Sequence, residues 1–342
     1  MNAINTVPQN IIISRTDSIG DVILTLPVAA VLKKHFPAIT IGFMGKAYTR
    51  PVIEACKYVD EFIDVEDFLQ KEVLIGGQAP QCILHVFPKS GIAKRARKLG
   101  IPLRIGTTNR LYHWFTCNKL VKLSRRKSDL HEAQLNLKLL QGFGIDTTYS
   151  LQDIVPLFGV EKLQPVPAQF ASLIQKDKYN LILHPKSQGS AREWPLENFL
   201  QLIDMLDKDK FNIFISGTAK EKEHLQWLFD KAGDRVTDIT GNMTLSGFIA
   251  FINQCDGLVA NSTGPLHIAA VLGKDALGIY PPMRPVHPGR WAPLGANAQV
   301  FVLDKQCVEC KDNKAPCSCI INVPAAWLKA TLDKKYADKI SN

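Results

Sequence analysis

The chain has 342 residues, with 41 Lys and Arg against 32 Asp and Glu, so its formal net charge is +9. Hydrophobic residues at 46% and charged residues at 21% are globular values, which exclude general disorder. No run approaches the ~20 apolar residues of a membrane span, and residues 1–10 lack the basic and apolar regions of a signal peptide. We therefore expect a cytoplasmic protein with two domains of roughly 150 residues each.

The first half alternates short apolar runs with helical patterns, which favours a doubly wound α/β domain. Pro27 is expected to open a second helical segment after a first turn at 21–25. A long helix is predicted from His131 to Phe143 and is ended by Gly144. The other predicted elements are strands at 11–14, 40–44, 61–65, 82–86 and 104–106, and helices at 26–36, 50–56 and 92–99.

The second half repeats this alternation after a linker at 157–169 that contains Pro165 and Pro167. We predict an N-terminal Rossmann-like domain at 1–165 and a C-terminal one at 166–322, then a helix at 323–342 that could pack back on the first domain. The predicted elements are strands at 179–184, 211–216, 258–261 and 276–280, and helices at 195–206, from 219, and at 265–272.

The segment Arg15-Thr16-Asp17-Ser18-Ile19-Gly20-Asp21 joins the first strand to its helix. Ligands of doubly wound domains collect at the carboxyl ends of strands, and Gly20 lets a ligand come close. Asp21 is a carboxylate at that edge, and we interpret it as a candidate catalytic base. From spacing alone, a helix cap is an equal alternative.

Two loops of the second half are candidate anion sites. Asn261-Ser262-Thr263-Gly264-Pro265-Leu266-His267 ends a strand and opens a helix, whose first N–H groups attract a phosphate; a plain N-cap is the alternative. The loop at 184–195 carries Lys186 and Arg192, which could neutralise a diphosphate leaving group. It is not a P-loop, and neither half shows G-x-G-x-x-G after its first strand, which argues against a dinucleotide-dependent dehydrogenase.

Together these segments resemble glycosyltransferase family 9, the ADP-heptose:lipopolysaccharide heptosyltransferases. The resemblance rests on 15–21 with Pro27, on Arg192-Glu193-Trp194-Pro195 and on 261–267, in that order, and it extends from 11 to about 323. It implies the GT-B fold, in which two Rossmann-like doubly wound domains face each other across a cleft. The first domain would bind the acceptor and the second the nucleotide sugar, in an inverting transfer that uses no catalytic cofactor or metal.

The resemblance also implies residue roles. Asp21 matches the base that deprotonates the acceptor hydroxyl, and Arg192 matches a diphosphate-binding Lys. Glu221 matches the acidic residue that holds the ribose, although alone it is typical of a helix start, and Met243 lies where adenine is expected to pack. The predicted donor-binding set is Lys186, Ser187, Arg192, Glu221, Met243, Ser262, Thr263, Gly264, Pro265 and His267.

Ser262 departs from the family, which usually has Asp at this position. An uncharged side chain leaves the donor sugar open, with heptose the leading choice and another nucleotide sugar the alternative. The leading prediction is transfer of a heptose from ADP-heptose to the lipopolysaccharide inner core, either Kdo-lipid A or a heptosylated core. The alternative acceptor is a protein serine, as in the relatives that glycosylate autotransporters.

Twelve Lys and Arg residues and no Asp or Glu lie between Lys89 and Lys127. Such a cluster favours an anionic partner, here an acidic glycolipid and the inner face of the inner membrane, while a solvated face is the alternative. A nucleic-acid-binding protein is a third hypothesis, but no recognisable motif supports it. The cations predicted to bind the acceptor are Lys89, Lys94, Arg95, Arg97, Lys98, Arg110, Arg125 and Arg126.

Four cysteines cluster as Cys307-x-x-Cys310 and Cys317-x-Cys319. Four thiolates at such spacing can close a structural Zn or Fe site, and reduced thiols in a surface loop are the alternative. Some members of the resembled family carry a comparable loop, which binds iron in a relative that glycosylates autotransporters.

Overall fold

The computed structural model describes residues 8–145, 148–283, 286–303 and 318–341. The chain divides into two compact units, Met1–Lys162 and Leu163–Asn342. This division lies inside the predicted linker and next to the predicted boundary at residue 165. Each unit contains one parallel six-stranded sheet with helices between strands, so the doubly wound α/β class is confirmed.

The first sheet has the strand order β3-β2-β1-β4-β5-β6, so the winding reverses between β1 and β4. Ligands of such sheets bind beyond the carboxyl ends of the strands at this switch point. Those ends are Ser14 and His85, which pair in register. The strands are β1 (Asn10–Ser14), β2 (Thr40–Gly45), β3 (Glu61–Asp64), β4 (Cys82–His85), β5 (Leu103–Thr107) and β6 (Lys119–Val121).

The helices of the first unit cover both faces of this sheet. Ile11, Ile12 and Ile13 of β1 are fully buried, which explains their continuous apolar run. The helices are α1 (Ile19–Ile23), α2 (Leu26–His35), α3 (Arg50–Glu54), α4 (Val65–Gln70), α5 (Ser90–Lys98), α6 (His113–Thr116), α7 (Glu132–Leu137) and α8 (Leu151–Ile154), with 3₁₀ turns at Ala47–Thr49, Lys138–Phe143 and Val155–Leu157.

Two helix predictions of the first unit have different outcomes. Pro27 lies in the first turn of α2, after the separate helix α1, as predicted. The prediction of a single long helix from His131 to Phe143 was wrong. Helix α7 ends at Leu137, and the chain continues as a 3₁₀ segment. Gly142 disfavours an α-helix there and packs closely on β5, since a Cβ at this position would lie 2.6 Å from Ile105 Cγ2.

The second sheet has the same winding, in the order β12-β11-β10-β7-β8-β9. Its switch point lies between β10 and β7, which end at Asn261 and His184. The strands are β7 (Tyr179–His184), β8 (Phe211–Ile215), β9 (Val236–Asp238), β10 (Gly257–Asn261), β11 (Asp275–Ile279) and β12 (Ala298–Phe301). The helices are α9 (Ala168–Ala171), α10 (Leu196–Met205), α11 (Ala219–Ala232), α12 (Leu245–Gln254), α13 (Gly264–Val271), α14 (Pro288–Trp291), α15 (Ser318–Ile321) and α16 (Ala325–Ser341), with a 3₁₀ turn at Gly233–Arg235.

The C-terminal helix α16 packs within the second unit. Leu328 and Leu332 are buried in the core of that unit, and the Tyr336 ring lies 5.7 Å from the Phe211 ring. Lys339 Nζ forms an ion pair of 2.7 Å with Asp256. The apolar side of α16 therefore packs on its own unit. The sequence had suggested packing on the first domain instead.

No helix in the described ranges is long and apolar enough to cross a membrane.

Candidate active site

The segment after β1 brings one arginine and two carboxylates together. Arg15 is 2% exposed, and its backbone N–H continues the sheet by donating to the Met44 carbonyl at 3.0 Å. Arg15 Nε donates to Asp17 Oδ1 at 2.8 Å, and Nη2 donates to Asp21 Oδ1. The side chains of Asp17 and Asp21 each remain 18% exposed. The candidate base is therefore held from the protein interior while it stays accessible to solvent.

Asp21 is not a helix cap. Helix α1 begins at Ile19 with Ser18 as its N-cap residue, which places Asp21 in the first turn. The Thr25 hydroxyl donates to the backbone carbonyl of Asp21 at 2.8 Å. Within the described part of the chain, only Oδ1 of the Asp21 carboxylate receives a hydrogen bond, from Arg15. The second oxygen is thus available to accept a proton.

A buried glutamate of α7 forms an ion pair with Arg15. Glu132 is 1% exposed, and its Oε1 accepts from Arg15 Nη1 at 3.1 Å and from Arg125 Nε at 2.9 Å. Arg125 Nη2 also donates to the Val86 carbonyl at 3.0 Å. The Arg125 guanidinium, predicted to contact the acceptor, thus joins this ion-pair network while its side chain stays 22% exposed, and its role toward the acceptor stays a prediction.

Asn136 connects the network to the turn between α1 and α2. Its Oδ1 accepts from Arg125 Nη2 at 2.9 Å, and its Nδ2 donates to the Leu24 carbonyl at 3.0 Å and to Thr25 Oγ1 at 3.1 Å. Neither Glu132 nor Asn136 was predicted as a site residue. The available signal was weak: Glu132 and Asn136 are four residues apart, which places them on one face of a helix, but Gln134 lies between them.

Burial and charge shift the protonation of this cluster. Burial, reinforced by the nearby charge of Asp21 and opposed by Arg15, raises the pKa of Asp17 to about 7. Burial acts against the charged form of Arg15, but Asp17, Asp21 and Glu132 outweigh it and hold the pKa of Arg15 above its ordinary value. Arg15 therefore stays charged, while Asp17 changes charge near neutral pH.

The loop after β7 is organised around Glu193. Its Oε1 accepts from the Ser187 backbone N–H and hydroxyl, both at 2.8 Å, and its Oε2 accepts from Lys186 Nζ. Gln188 and Gly189 have φ values of 50° and 77°, so the chain reverses tightly between Ser187 and Glu193. Two predicted donor-binding residues, Lys186 and Ser187, thus bond to one carboxylate, Glu193, which was not itself predicted as a site residue.

The turn after β10 is attached to this loop through Asn261. The fully buried Asn261 accepts from the Trp194 N–H at 2.8 Å and donates to the Pro185 carbonyl at 2.8 Å. Arg192, two residues before Trp194, is half-buried. The two predicted anion loops therefore meet at the switch point of the second sheet.

Thr263 occupies the N-cap position of α13 without capping it. Its hydroxyl makes no hydrogen bond to the helix, and no other described residue bonds this buried oxygen. Gly264 and Pro265 form the first turn, and His267 is 4% exposed in the next. Ser262 is half-buried beside Thr263. Because the Thr263 hydroxyl does not bond the helix N–H groups, Thr263 is not a plain N-cap.

Glu221 closes a capping box at the start of α11. Its Oε2 accepts from the Thr218 N–H at 2.7 Å and from the Thr218 hydroxyl at 2.9 Å, and the residue is 5% exposed. Gly241 passes so close that a Cβ there would lie 2.8 Å from Ala219 Cα. Two residues on, Met243 is half-buried. The helix start, Gly241 and Met243 thus share one edge of the sheet, beyond β8 and β9.

The remaining cations predicted to bind the acceptor fall into two groups. Arg95 Nη2 donates to the Lys71 carbonyl at 3.0 Å, and Arg97 Nη1 donates to the Phe115 carbonyl at 2.7 Å, so both also join neighbouring elements. Arg97 is nevertheless exposed, as are the other predicted members, Lys89, Lys94, Lys98, Arg110 and Arg126.

The model of glycosyltransferase family 9 (heptosyltransferase) matches residues 93–321 of the chain. The chain belongs to this family. The protein is accordingly a glycosyltransferase, and its two doubly wound units are those of the GT-B fold. The match begins after the segment that carries Asp21.

Related proteins agree with this assignment. A Haemophilus influenzae protein, provisionally named a glycosyltransferase, is 25% identical over 84% of this chain and 86% of its own length. The lipopolysaccharide core heptosyltransferase OpsX of the same organism is 28% identical over 31% of each chain. Among solved structures, Escherichia coli ADP-heptose lps heptosyltransferase II has a TM-score of 0.75 at 17% identity, covering 97% of this chain and 99% of its own. The iron-containing dodecameric glycosyltransferase TibC of enterotoxigenic E. coli has a TM-score of 0.53 at 11% identity, covering 97% of this chain and 77% of its own.

The cysteine cluster of this family 9 enzyme is only partly described. Cys307, Cys310 and Cys317 lie outside the described residues. Cys319, in α15, is 6% exposed and packs in the core of the second unit beside Ile320. Within the described ranges, no group of three or more His, Cys, Asp or Glu side chains is arranged to hold a metal ion. The predicted site therefore stays a prediction.

Proposed function

We propose that this family 9 glycosyltransferase transfers a heptose from ADP-heptose to the lipopolysaccharide inner core, with inversion and with Asp21 as the general base. The observation that carries the proposal is the Asp21 carboxylate, fixed through one oxygen by buried Arg15 while the other oxygen and part of the side chain stay accessible. A base must lie within hydrogen-bond reach of the hydroxyl it deprotonates. An acceptor hydroxyl at Asp21 Oδ2 meets that condition.

The reaction assigned to Asp21 needs no cofactor. As the acceptor oxygen attacks the anomeric carbon, its proton passes to the Asp21 carboxylate and the bond to the leaving diphosphate breaks. Arg15 and Glu132 hold the carboxylate in position through contacts of the same buried network. The charge that develops on the diphosphate needs donors elsewhere in the protein.

Residues of the second unit are suited to bind the ADP diphosphate. The unbonded Thr263 hydroxyl is a donor that a phosphate oxygen would satisfy. The first N–H groups of α13 are further donors at the same helix end. Lys186 and Arg192 supply positive charge from the neighbouring loop, and Ser187 orders that loop through Glu193. We assign Gly264 and His267 to the same anion site.

The nucleoside would bind beside the start of α11. Glu221 uses only Oε2 in its capping box, so Oε1 remains to accept hydrogen bonds from ribose hydroxyls. Met243 offers an apolar surface to adenine. Ser262 replaces the family's usual Asp, and donor sugars other than heptose therefore belong in the assay.

The decisive experiment compares three variants in a transfer assay with product mass spectrometry. Asp21→Asn preserves the shape and the contact to Arg15 but cannot accept the proton, so kcat should fall by about 10²–10⁴-fold. ADP affinity, measured by thermal shift, should stay within about twofold, because the residues proposed to bind ADP belong to the second unit and are unchanged. Asp17→Asn should retain most activity, and the surface control Asp67→Asn should retain all of it. Near-normal turnover by Asp21→Asn, or its loss in Asp17→Asn instead, would remove Asp21 from this role.

The acceptor is tested in the same assay. We place the enzyme in the cytoplasm at the inner face of the inner membrane, because the proposed acceptor is an acidic glycolipid anchored there. A mixture of Kdo-lipid A, heptosylated core and an autotransporter protein discriminates the acceptors, and product on protein alone would replace the lipid with a serine hydroxyl. Binding to RNA or DNA without binding to any nucleotide sugar would overturn both.

The four cysteines are proposed as a structural Zn or Fe site. Metal analysis of protein purified without chelators should find about one ion per chain for a Cys₄ zinc site. Cys310→Ser should lose the metal and lower the melting temperature without abolishing ADP binding. Metal-free wild-type protein of normal stability would contradict the proposal.

A further inference from the structure

Three large apolar side chains project from one short segment of the first unit. Leu111 is 76% exposed, Phe115 is 68% exposed and Trp114 is 58% exposed. The two tryptophans exposed elsewhere in the described ranges, Trp227 and Trp327, are 40% and 44% exposed and lie on different helices. Isolated apolar residues on a surface are ordinary, but a contiguous group is typical of an interaction site.

The segment is held firmly in this conformation. The buried His113 lies between the exposed residues, and its Nδ1 accepts from the Thr107 N–H at 3.0 Å. Gly106 makes room for that ring, since a Cβ there would lie 2.6 Å from His113 Nδ1. Trp114 Nε1 donates to the Thr108 carbonyl at 3.1 Å. The anchored backbone therefore presents its apolar side chains outward.

A basic helix lies directly beside this segment. Helix α5 buries Ile92, Ala93 and Ala96, which leaves its basic residues on the opposite side. Arg97 joins the two elements through its hydrogen bond of 2.7 Å to the Phe115 carbonyl. A surface hollow of about 470 Å³ is lined by Lys94, Arg97, Lys98, Tyr112, Phe115 and Thr116.

The positive charge of this surface is not neutralised within the described part of the chain. Lys94, Lys98 and Arg110 form none of the ion pairs found there, and residues 89–127 contain no Asp or Glu. A face that combines Leu, Trp and Phe with uncompensated cations matches the boundary between anionic headgroups and acyl chains. The Leu111 side chain, the most exposed of the three, has no stacking or charge interaction to offer a nucleic acid.

We propose that this surface, formed by Leu111, Trp114 and Phe115 with Lys94, Arg97, Lys98 and Arg110, docks the enzyme on an anionic lipid bilayer. The apolar side chains enter the headgroup–acyl boundary, and the cations contact lipid phosphates. This deepens the proposed function, because a membrane-anchored acceptor would then be met at the surface where the enzyme rests. Docking itself requires neither donor nor acceptor.

The first test is vesicle co-sedimentation of the full chain without nucleotide sugar or acceptor. Vesicles rich in phosphatidylglycerol should bind the protein, pure phosphatidylcholine should bind it far more weakly, and raising NaCl from about 0.1 M to about 0.5 M should weaken binding. Each of Leu111→Ser, Trp114→Ser and Phe115→Ser should lower the partition coefficient by about tenfold. Trp227→Ser and Trp327→Ser are the matched controls and should bind as the wild type does.

Charge variants separate the two contributions. Lys94→Glu and Lys98→Glu should each weaken binding to anionic vesicles by at least about fivefold, whereas Lys176→Glu and Lys231→Glu on the other unit should not. Circular dichroism and ADP thermal shifts verify that each variant is folded. Equal vesicle binding by wild type and the Trp114 and Phe115 variants would overturn the proposal. So would a stable dimer that Phe115→Ser dissociates, or salt-sensitive RNA binding in place of vesicle binding.

Failure of the docking proposal can be distinguished from failure of the proposed transfer reaction. Loss of docking in the Phe115 variant, with normal transfer to a water-soluble acceptor fragment, would support docking as a separate property. Normal docking with no transfer of any sugar would refute the proposed reaction and leave the membrane surface in place. Normal transfer without vesicle binding would refute the docking surface alone.

Discussion

Replacing Asp17 by Asn should stabilise the protein in a pH-dependent way. Asp17 accepts a hydrogen bond from Arg15, the residue that also bonds Asp21. Burial raises the pKa of Asp17 from an ordinary value of 3.8 to about 7. The folded state therefore binds more protons than the unfolded state between about pH 4 and pH 7. Because the folded pKa is raised, the stabilisation from a neutral Asp17 is complete below about pH 4 and is lost as the pH rises through about 7.

The magnitude follows from the difference between the two pKa values. At ~1.4 kcal/mol per pKa unit, an ionised Asp17 lowers the free energy of unfolding by about 4 kcal/mol at pH 8. This is an upper bound, because 18% of the side chain is exposed and solvent screens its charge. Asn removes the charge but keeps an acceptor for Arg15 Nε. Asp17→Asn should thus gain about 2–4 kcal/mol at pH 8 and less than about 1 kcal/mol at pH 4.

Urea unfolding of both proteins at pH 4, 5, 6 and 8 measures this difference directly, provided the m-values agree. Asp67→Asn removes a carboxylate that is 55% exposed and paired with Lys71, so its effect should stay within about 0.5 kcal/mol. A gain from Asp17→Asn that does not depend on pH would refute the reasoning. A loss of stability at pH 8 would show instead that ionised Asp17 is held by a favourable ion pair with Arg15.

Three further substitutions test the rest of the site. Glu132→Gln leaves two guanidinium groups without their shared carboxylate and should lower the free energy of unfolding by about 3–5 kcal/mol in urea. Thr263→Val should leave the stability of the nucleotide-free protein unchanged or raised, because the hydroxyl has no partner in the described structure, yet weaken ADP binding about tenfold in calorimetry. Gly241→Ala places a Cβ 2.8 Å from Ala219 and should destabilise the protein by more than Gly273→Ala does. Gly273 is the matched control, because its φ is similarly positive but open space surrounds it. Only Gly241→Ala should weaken ADP binding.

Local patterns were sufficient to predict most of the strands and the turns that follow them, while the ligand roles of those turns stay predictions. The apolar run of β1, the Gly20 turn and the Thr263-Gly264-Pro265 start of α13 are short segments whose conformation their own residues determine. Short edge elements were missed, among them β6, β9 and β12, because three or four residues carry too little periodicity. Their pairing partners supply the stability that their own sequence lacks.

The support behind Asp21 was beyond the reach of such patterns. Arg15 and Glu132 are 117 positions apart, and Asn136 reaches Leu24 over 112 positions. Each residue taken alone reads as part of a loop or a helix face, and only the packing of α7 on the end of β1 brings them together. Sequence reasoning found the carboxylate that could perform the chemistry but not the buried residues that orient it.

The basic stretch shows how a count of charges can conceal two different roles. Arg125 is 22% exposed and shares Glu132 with Arg15, so its charge balances a buried carboxylate. Lys94 and Lys98 lie on the outer side of α5 without a carboxylate partner in the described ranges, and their charge remains for a partner to neutralise. Removal of Arg125 should therefore lower stability, whereas removal of Lys94 should leave stability unchanged and weaken the affinity for an anionic partner. The number of cations predicted the sign of the surface, but their burial decides which of them a ligand can use.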